Sequence, residues 1–176
     1  MKKIYTYMML LVTIVLMSSC ESDDHYIAER LINRDWQGYL GTYYRDRWGL
    51  SGDDYWTIMR FESRDSYATS GRGYEVDILK GASRNNYAYC TFRWFIVDGE
   101  ITILYDDDQW KPIYIVNYHL SENHFTGRID DGTSRDIRFD FTEQFFEDWN
   151  YYQQNVSWHT RSANAPESNV RGVFAK

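Results

Sequence analysis

Apolar and polar residues alternate through the middle of the chain, and this period-2 pattern predicts β-strands. The predicted strands are residues 36–44, 55–61, 74–78, 87–97, 101–105, 113–120, 124–129 and 134–141. Residues 45–54, with two glycines and paired aspartates, are predicted to form a loop. Asp98-Gly99 is a tight-turn dipeptide between two alternating segments, which predicts a hairpin. Regularly spaced strands with no helix between them favour an antiparallel barrel or sandwich.

The alternation also predicts which side chains face the interior. Three strands have one clearly apolar face, made of Phe92, Trp94 and Ile96, of Ile101, Ile103 and Tyr105, and of Ile137, Phe139 and Phe141. The same reasoning places Tyr74, Val76 and Ile78 inside and leaves Glu75 and Asp77 in water. Segments 87–97 and 113–120 are apolar on both faces, so another element is expected to cover them.

Two segments have helical spacing. Residues 24–33 are predicted to form a short helix, with Ile27, Leu31 and Ile32 on one side. Residues 143–153 are predicted to form a second helix, whose apolar stripe contains Phe145, Phe146, Trp149 and Tyr152. This C-terminal helix is the element expected to cover the barrel wall. Residues 156–176 are polar and are expected to form a disordered tail.

The N-terminus has the organisation of an export signal. Lys2 and Lys3 precede an uncharged stretch from Ile4 to Met17 that is too short to span a membrane. The sequence Leu-Met-Ser-Ser-Cys that ends at Cys20 resembles the lipobox of bacterial lipoproteins. The resemblance implies that residues 1–19 are a signal peptide and that Cys20 carries a lipid anchor. Two or more acyl chains at such a cysteine give stable membrane attachment.

The residues after Cys20 extend this resemblance. Glu21-Ser22-Asp23-Asp24 is similar to the acidic segment of surface-displayed lipoproteins of the Bacteroides group, which implies an outer-membrane location with exposure at the cell surface. A solvated acidic linker is the alternative interpretation. The predicted organisation is a signal peptide (1–19), an acidic tether (20–25), one barrel domain (26–155) and a tail (156–176).

The net charge limits the classes of binding partner, and the cysteine content limits disulfide formation. The formal charge is −7, and it becomes −9 when Lys2 and Lys3 are removed with the signal peptide. An acidic protein is a poor match for nucleic acid or for an anionic lipid surface, which both require a basic face. Cys90 is the only cysteine besides Cys20. With Cys20 lipidated, an intramolecular disulfide is excluded, and Cys90 is expected to be a small buried residue.

The order of these elements resembles a known class of barrel. A short helix, then Trp36 and Gly38 in the first strand, the hairpin of residues 92–103, and Phe125-Thr-Gly127 before a last strand and helix are similar to lipocalin-like domains of surface lipoproteins. The resemblance implies an all-β fold, an antiparallel up-and-down barrel of eight strands with a short helix at each end of the domain. Such a barrel holds one small ligand or is filled by its own side chains.

Several carboxylates are candidates for catalysis or metal binding. Residues 73–81 resemble the Glu-x-Asp-x-x-Glu strand of a β-sandwich glycosidase family, with Glu75 and Asp77 at the first two positions and Lys80 at the third. A glycosidase needs two suitably placed carboxyl groups, and the lysine replaces one of them. Residues 106–108 with Asp98 and Glu100 are a weak calcium candidate, and a solvated turn is favoured. The four histidines lack metal-binding spacing, so no metal and no cofactor are expected.

Aromatic residues in or beside predicted loops are the ligand-binding candidates. They are Tyr43, Tyr44, Trp48, Trp56 and Trp110. Their rings could stack on sugars, or they could close the barrel ends. The leading hypothesis is a non-enzymatic, membrane-anchored lipoprotein that binds a small hydrophobic molecule, a glycan or a partner protein. The alternatives are a cell-envelope glycan hydrolase that uses Glu75 and Asp77, and a structural subunit with a closed barrel.

Overall fold

Eight antiparallel strands and two short helices make up the part of the chain that the computed structural model describes, residues 20–47, 49–81, 87–107 and 110–154. In chain order the elements are α1 (Cys20–Leu31), β1 (Asp35–Asp46), β2 (Gly49–Glu62), β3 (Ser70–Leu79), β4 (Tyr87–Val97), β5 (Glu100–Tyr105), β6 (Ile113–Leu120), β7 (His124–Asp130), β8 (Asp136–Glu143) and α2 (Trp149–Gln154). The predicted order of elements is confirmed, whereas residues 49–54 belong to β2 and not to a loop.

The strands form a closed barrel. Each strand pairs with the next along the chain, and β8 pairs with β1 from Trp36 opposite Glu143 to Tyr43 opposite Asp136. The predicted up-and-down topology is therefore confirmed. The residues predicted to be internal on β4, β5 and β8, such as Trp94, Ile103 and Phe141, are buried in one hydrophobic core.

Helix α1 covers one end of the barrel, which we call the closed end. The Asp24 carboxylate accepts hydrogen bonds from the backbone N–H groups of Asp98 (3.1 Å) and Gly99 (2.7 Å) in the turn between β4 and β5. Both turn residues have positive φ, as the Asp-Gly pair predicts. Leu31 is fully buried, and its carbonyl accepts a hydrogen bond from the Trp36 indole at 3.0 Å. Because α1 begins at Cys20, residues 20–25, the predicted acidic tether, are helical.

The C-terminal segment covers part of the outer wall. Tyr152 of α2 is buried against Ile58 and Val76, and its ring lies edge-on to the Tyr87 ring, with the ring centroids 4.6 Å apart. The prediction that this segment covers β4 is confirmed, whereas on β6, the other strand predicted to be covered, the outward Tyr114 is 37% exposed. The predicted helix over 143–153 is too long, because β8 continues to Glu143 and Phe145 is 77% exposed. Among the described residues, no helix is long and apolar enough to cross a membrane.

The opposite end of the barrel is where β1 joins β2, β3 joins β4, β5 joins β6 and β7 joins β8. We call it the far end. Because neighbouring residues in register share one face of a closed sheet, the pairing assigns each strand residue to the inner or the outer face of the barrel. This assignment decides which polar side chains lie inside the barrel.

Candidate functional site

The inner face of the barrel is apolar in the half next to the closed end. Large aromatic side chains fill this half and contact one another edge to face, for example Phe61 with Phe92 at 5.4 Å and Trp36 with Phe125 at 5.5 Å between ring centroids. These side chains are fully or almost fully buried. The closed-end half is thus a conventional hydrophobic core that is filled by the protein's own side chains.

On β3 the inner face changes from glycine to polar residues toward the far end, where the strand contributes two carboxylates. Glu75 lies opposite Met59 and Cys90, and Asp77 lies opposite Thr57. Their exposures are 1% and 2%. The prediction that Glu75 and Asp77 face water is therefore wrong, because they lie inside the barrel.

The reversed orientation of β3 has two physical causes. Tyr74, Val76 and Ile78, which were predicted to be internal, face outward and pack under the C-terminal segment, so both faces of β3 are covered. On the inner face, a side chain at Gly73 would meet the Phe92 ring at 2.3 Å. The aromatic residues of β4 thus require glycine on the inner face of β3. Because alternate residues of a strand share one face, Glu75 and Asp77 lie on the same inner face as Gly73.

Hydroxyl groups donate to both carboxylates. The Thr57 hydroxyl donates to Oδ1 of Asp77, and the Tyr105 hydroxyl donates to Oε2 of Glu75 at 2.6 Å. Tyr55 lies one inner position from Thr57, nearer the far end. Burial raises the pKa of the Tyr55 hydroxyl, and the charges of Asp53 and Asp77 raise it further. Among apolar far-end neighbours such as Ile113 and Ile137, the interior thus contains a cluster of acids and hydroxyls, which we call the polar chamber (Thr57, Tyr55, Glu75, Asp77 and Tyr105).

Asp131, just beyond β7, adds a third buried carboxylate at the far end. It is 5% exposed. Its Oδ1 accepts hydrogen bonds from the backbone N–H of Thr133 (2.9 Å) and from the Thr133 hydroxyl (2.6 Å). Its Oδ2 is buried and has no hydrogen-bond partner among the described residues. Burying a carboxylate oxygen without a hydrogen-bond donor lowers the stability of the fold, so an aspartate at position 131 needs an explanation.

The predicted aromatic ligand-binding residues do not form one platform. Trp110 packs against Tyr105 with ring centroids 5.3 Å apart, and Tyr44 lies at the far-end rim below the Arg135 guanidinium. Tyr43 and Trp56 are on the outer face of β1 and β2, where Trp56 is 48% exposed. Trp48 lies outside the described residues. Among the described candidates, only Trp110 therefore has a ring contact with a residue of the polar chamber.

A second polar cluster lies on the outer wall near the same end. Tyr43 and Tyr39 both donate to Oδ1 of Asp54, and Lys80 Nζ is 3.6 Å from Oδ2 of the same carboxylate. The two tyrosine hydroxyls hold the pKa of Asp54 below its usual value. Tyr43, Asp54 and Lys80 line an open groove of about 370 Å³ that also includes Leu79. These groups satisfy one another, which is typical of a structural network.

The candidate calcium residues are separated by the fold. Asp98 and Glu100 belong to the hairpin at the closed end, whereas Asp106 follows β5 at the far end, where it accepts a hydrogen bond from the Thr91 hydroxyl. Asp108 lies outside the described residues. Within the described ranges, no group of three or more His, Cys, Asp or Glu side chains is placed to hold a metal ion.

Sequence reasoning identified Glu75 and Asp77 as carboxylates of interest but assigned them to the wrong face, and it did not find Asp131 or Tyr105. The available indication was the sequence Gly71-x-Gly73-x-Glu75-x-Asp77, in which small and acidic residues share one face of a strand. The fold and this cluster define a small antiparallel barrel protein with a polar chamber. No family model, curated protein or solved structure matches the chain.

Proposed function

We propose that this chain is a non-enzymatic envelope lipoprotein, anchored through Cys20, whose barrel binds a small ligand at the far end. The observation that carries the proposal is the burial of Glu75 and Asp77 inside the barrel. Ionisable groups in a barrel interior are costly to desolvate, and they concentrate at binding and catalytic sites. A purely structural interior of this size would be filled by apolar residues at lower cost.

The distribution of side chains favours a ligand with polar groups. The half of the interior next to the closed end is filled by aromatic residues such as Trp36 and Trp94, so a long apolar chain has no room along the barrel axis. The polar chamber instead offers carboxylates and hydroxyls that can bind a ligand's own donors. A small polar molecule therefore fits better than a fatty acid.

Helix α1, which begins at Cys20, and the polar chamber are at opposite ends of the barrel. Helix α1 begins at Cys20 and docks on the closed end through Asp24 and Leu31. A lipid on Cys20 would hold the closed end toward the membrane and direct the far end away from it. This orientation suits an outer-membrane protein at the cell surface that takes its ligand from the surrounding medium.

Ligand binding is tested by nuclear magnetic resonance titration of the full chain, purified in detergent, with palmitate, a chito-oligosaccharide and a linear diamine. We expect saturable shifts at Tyr55, Tyr105 and Trp110 with at least one polar probe. Glu75→Gln should weaken that binding by about tenfold, because a charged hydrogen-bond partner is lost. Glu100→Gln, an exposed acid at the closed end, is the matched control and should leave affinity unchanged. No saturable shift at the far end with any probe would overturn the binding function and favour the structural subunit.

The anchor is tested separately. Cells that express the chain or its Cys20→Ser variant are labelled with an alkyne fatty acid and partitioned with a phase-separating detergent. We expect the label and the detergent-phase location to be lost with Cys20→Ser and kept with Cys90→Ser, the matched cysteine control. Protease treatment of intact cells then tests surface exposure. Label that persists in Cys20→Ser would refute the anchor.

A glycan hydrolase is the second candidate, favoured by one observation: Glu75 and Asp77 share the inner face of one strand. Against it, Lys80 is directed to the Asp54 carboxylate on the outer wall and supplies no acid to the chamber. Hydrolysis of a glycan panel by the wild-type chain, abolished by Glu75→Gln, would establish the enzyme. The absence of any hydrolysis would remove this candidate.

A further inference from the structure

We propose that the outer wall of β1, β2 and β8 binds a neutral β-1,4-linked oligosaccharide. The surface that would bind it is solvent-accessible and combines aromatic rings with charged side chains. We call it the aromatic face, and its residues are Tyr39, Tyr43, Asp54, Trp56, Lys80 and Arg138. It lies outside the barrel, so the inference goes beyond the far-end ligand and does not depend on it.

Trp56 is the most exposed ring of the aromatic face. It lies in the middle of β2, opposite Tyr39 on β1 and Ile78 on β3. The C-terminal segment covers Ile58, the next outer residue of β2 toward the closed end, but the described part of that segment leaves Trp56 48% exposed. An indole that is fixed in a sheet and open to solvent is suited to stacking on a ligand.

Tyr43 lies flat on the same face, because two glycines make room for its ring. A Cβ at Gly41 would be 2.6 Å from Cε2 of Tyr43, and a Cβ at Gly52 would be 2.6 Å from Cδ1 of the same ring. These two atoms are opposite corners of the ring, so the ring lies across β1 and β2 with one face on the backbone. Its other face is directed away from the barrel.

The charged groups between the rings are placed to bind hydroxyl groups. Oδ1 of Asp54 accepts hydrogen bonds from Tyr43 and from Tyr39, the latter at 2.9 Å, and these bonds fix the carboxylate. The same hydroxyls hold the pKa of Asp54 below its usual value, so the group is ionised at neutral pH. Lys80 Nζ is 3.6 Å from Oδ2, too far for a hydrogen bond, and its side chain is 74% exposed. Oδ2 can therefore accept from a sugar hydroxyl, and the ammonium group can donate to one.

Two open grooves lie on either side of the Tyr39–Tyr43 pair. The first, of about 370 Å³, is lined by Tyr43, Asp54 and Lys80, and the second, of about 510 Å³, is lined by Tyr39 and Arg138. Neighbouring strands are about 4.8 Å apart, so the outer row from Lys80 across β2 and β1 to Arg138 is roughly 14 Å long. An extended ligand of several rings fits this shape better than a single small molecule.

The charges of the wall favour a neutral ligand. Three bases and three acids lie on the outer face of this part of the sheet, namely Lys80, Arg128, Arg138, Asp54, Asp136 and Asp140. A polyanion would therefore gain little from them. In a β-1,4-linked chain of equatorial hexopyranoses, C–H groups occupy the flat faces and hydroxyls occupy the edges. That arrangement matches outward aromatic rings with charged side chains beside them.

The test titrates cellotetraose, chitotetraose and maltotetraose into the full chain in detergent and follows the indole resonance of Trp56. We expect a saturable shift with at least one of the two β-1,4-linked probes. We expect weaker binding of maltotetraose, because its α-1,4 linkages curve the chain. Trp56→Ala should weaken binding by about tenfold, and Trp56→Phe, which keeps an aromatic ring, should weaken it less. Tyr114→Ala, which removes a 37% exposed ring from the outer face of β6, is the matched control and should leave affinity unchanged.

The results distinguish this site from the far-end site. Binding that shifts Trp56, is weakened by Trp56→Ala and is kept in Tyr114→Ala supports the inference. Shifts confined to Tyr105 and Trp110 overturn it and leave the far-end binding function standing. Tightest binding of maltotetraose, or no shift of Trp56 with either β-1,4-linked probe, also overturns it.

Thermal unfolding of each variant is measured in parallel. If Trp56→Ala does not unfold cooperatively, Lys80→Gln replaces it, because this lysine is 74% exposed and its loss does not disturb the packing. Lys80→Gln should weaken binding by about fivefold, since one hydrogen bond to the sugar loses its charged donor. Unchanged affinity in Lys80→Gln would place the ligand away from the aromatic face.

Discussion

The Tyr105 hydroxyl on β5 donates a 2.6 Å hydrogen bond to the Glu75 carboxylate on β3, reaching over β4 inside the barrel. The bond links two strands that are not neighbours in the sheet. It also supplies a donor to a carboxylate that is 1% exposed. The contribution of this hydrogen bond to the free energy of unfolding therefore depends on the cost of burying that carboxylate without the Tyr105 donor.

Removing this donor should destabilise the protein. We expect Tyr105→Phe to lower the free energy of unfolding by about 1–3 kcal/mol, because a buried carboxyl oxygen loses a hydrogen-bond donor. The ring and its packing against Phe92 and Trp110 are kept. Tyr114→Phe, at an exposed outer position of β6, should change stability by less than about 0.5 kcal/mol. Urea unfolding measures both, and equal effects would contradict the argument.

A methyl group at Gly73 should be poorly tolerated. A Cβ there would lie 2.3 Å from the Phe92 ring and 2.5 Å from the Arg60 carbonyl oxygen. We expect Gly73→Ala to lower the free energy of unfolding by about 1–3 kcal/mol through overpacking. Phe92→Leu in the same chain should recover part of this loss, because the ring atoms are gone. A fully additive double variant, measured by urea unfolding, would show that the ring is not the obstacle.

The Asp24 carboxylate should protect the turn between β4 and β5 from local unfolding. Asp24→Ala removes the acceptor for the Asp98 and Gly99 amides. We expect hydrogen exchange at these two amides to accelerate by about tenfold, which corresponds to the loss of roughly 1.4 kcal/mol of local protection. Asp23→Ala, at the exposed neighbouring position, is the control. If the exchange rates of these two amides were unchanged in Asp24→Ala, the turn would keep its structure without the Asp24 carboxylate.

Alkaline pH should weaken the fold through Tyr118. Burial, followed by the charge of Asp24, raises the Tyr118 pKa to about 12, and its hydroxyl donates to the Gly99 carbonyl at 2.6 Å. Because the folded pKa is above the usual value near 10, the stabilisation is complete below about pH 10 and is lost as pH rises through 12. Tyr118→Phe should flatten this loss, measured by urea unfolding between pH 9 and 12. An unchanged pH profile in Tyr118→Phe would exclude this residue as the cause.

The barrel was predictable because alternation and turn residues act locally. Asp98-Gly99 formed the predicted turn, and Trp94 and Phe141 face inward as predicted. The face of β3 was not predictable in the same way. Tyr74 and Val76 form the more apolar face of that strand, but α2 covers the outer wall, so burial no longer distinguishes inside from outside. A local pattern also contains no information on Asp131, whose burial depends on how the barrel closes.

The shortest lateral pairing in the wall has a consequence for motion. Among the described residues, β5 pairs with β6 only from Ile101 to Ile103, whereas β2 pairs with all of β1. On its other side, β6 shifts register against β7 between Val116 and His119. Local unfolding begins where the fewest backbone hydrogen bonds must break. The pairing of β5 with β6 beside Tyr105 is therefore where we expect the wall to separate first, and such a separation would open the interior to solvent from the side.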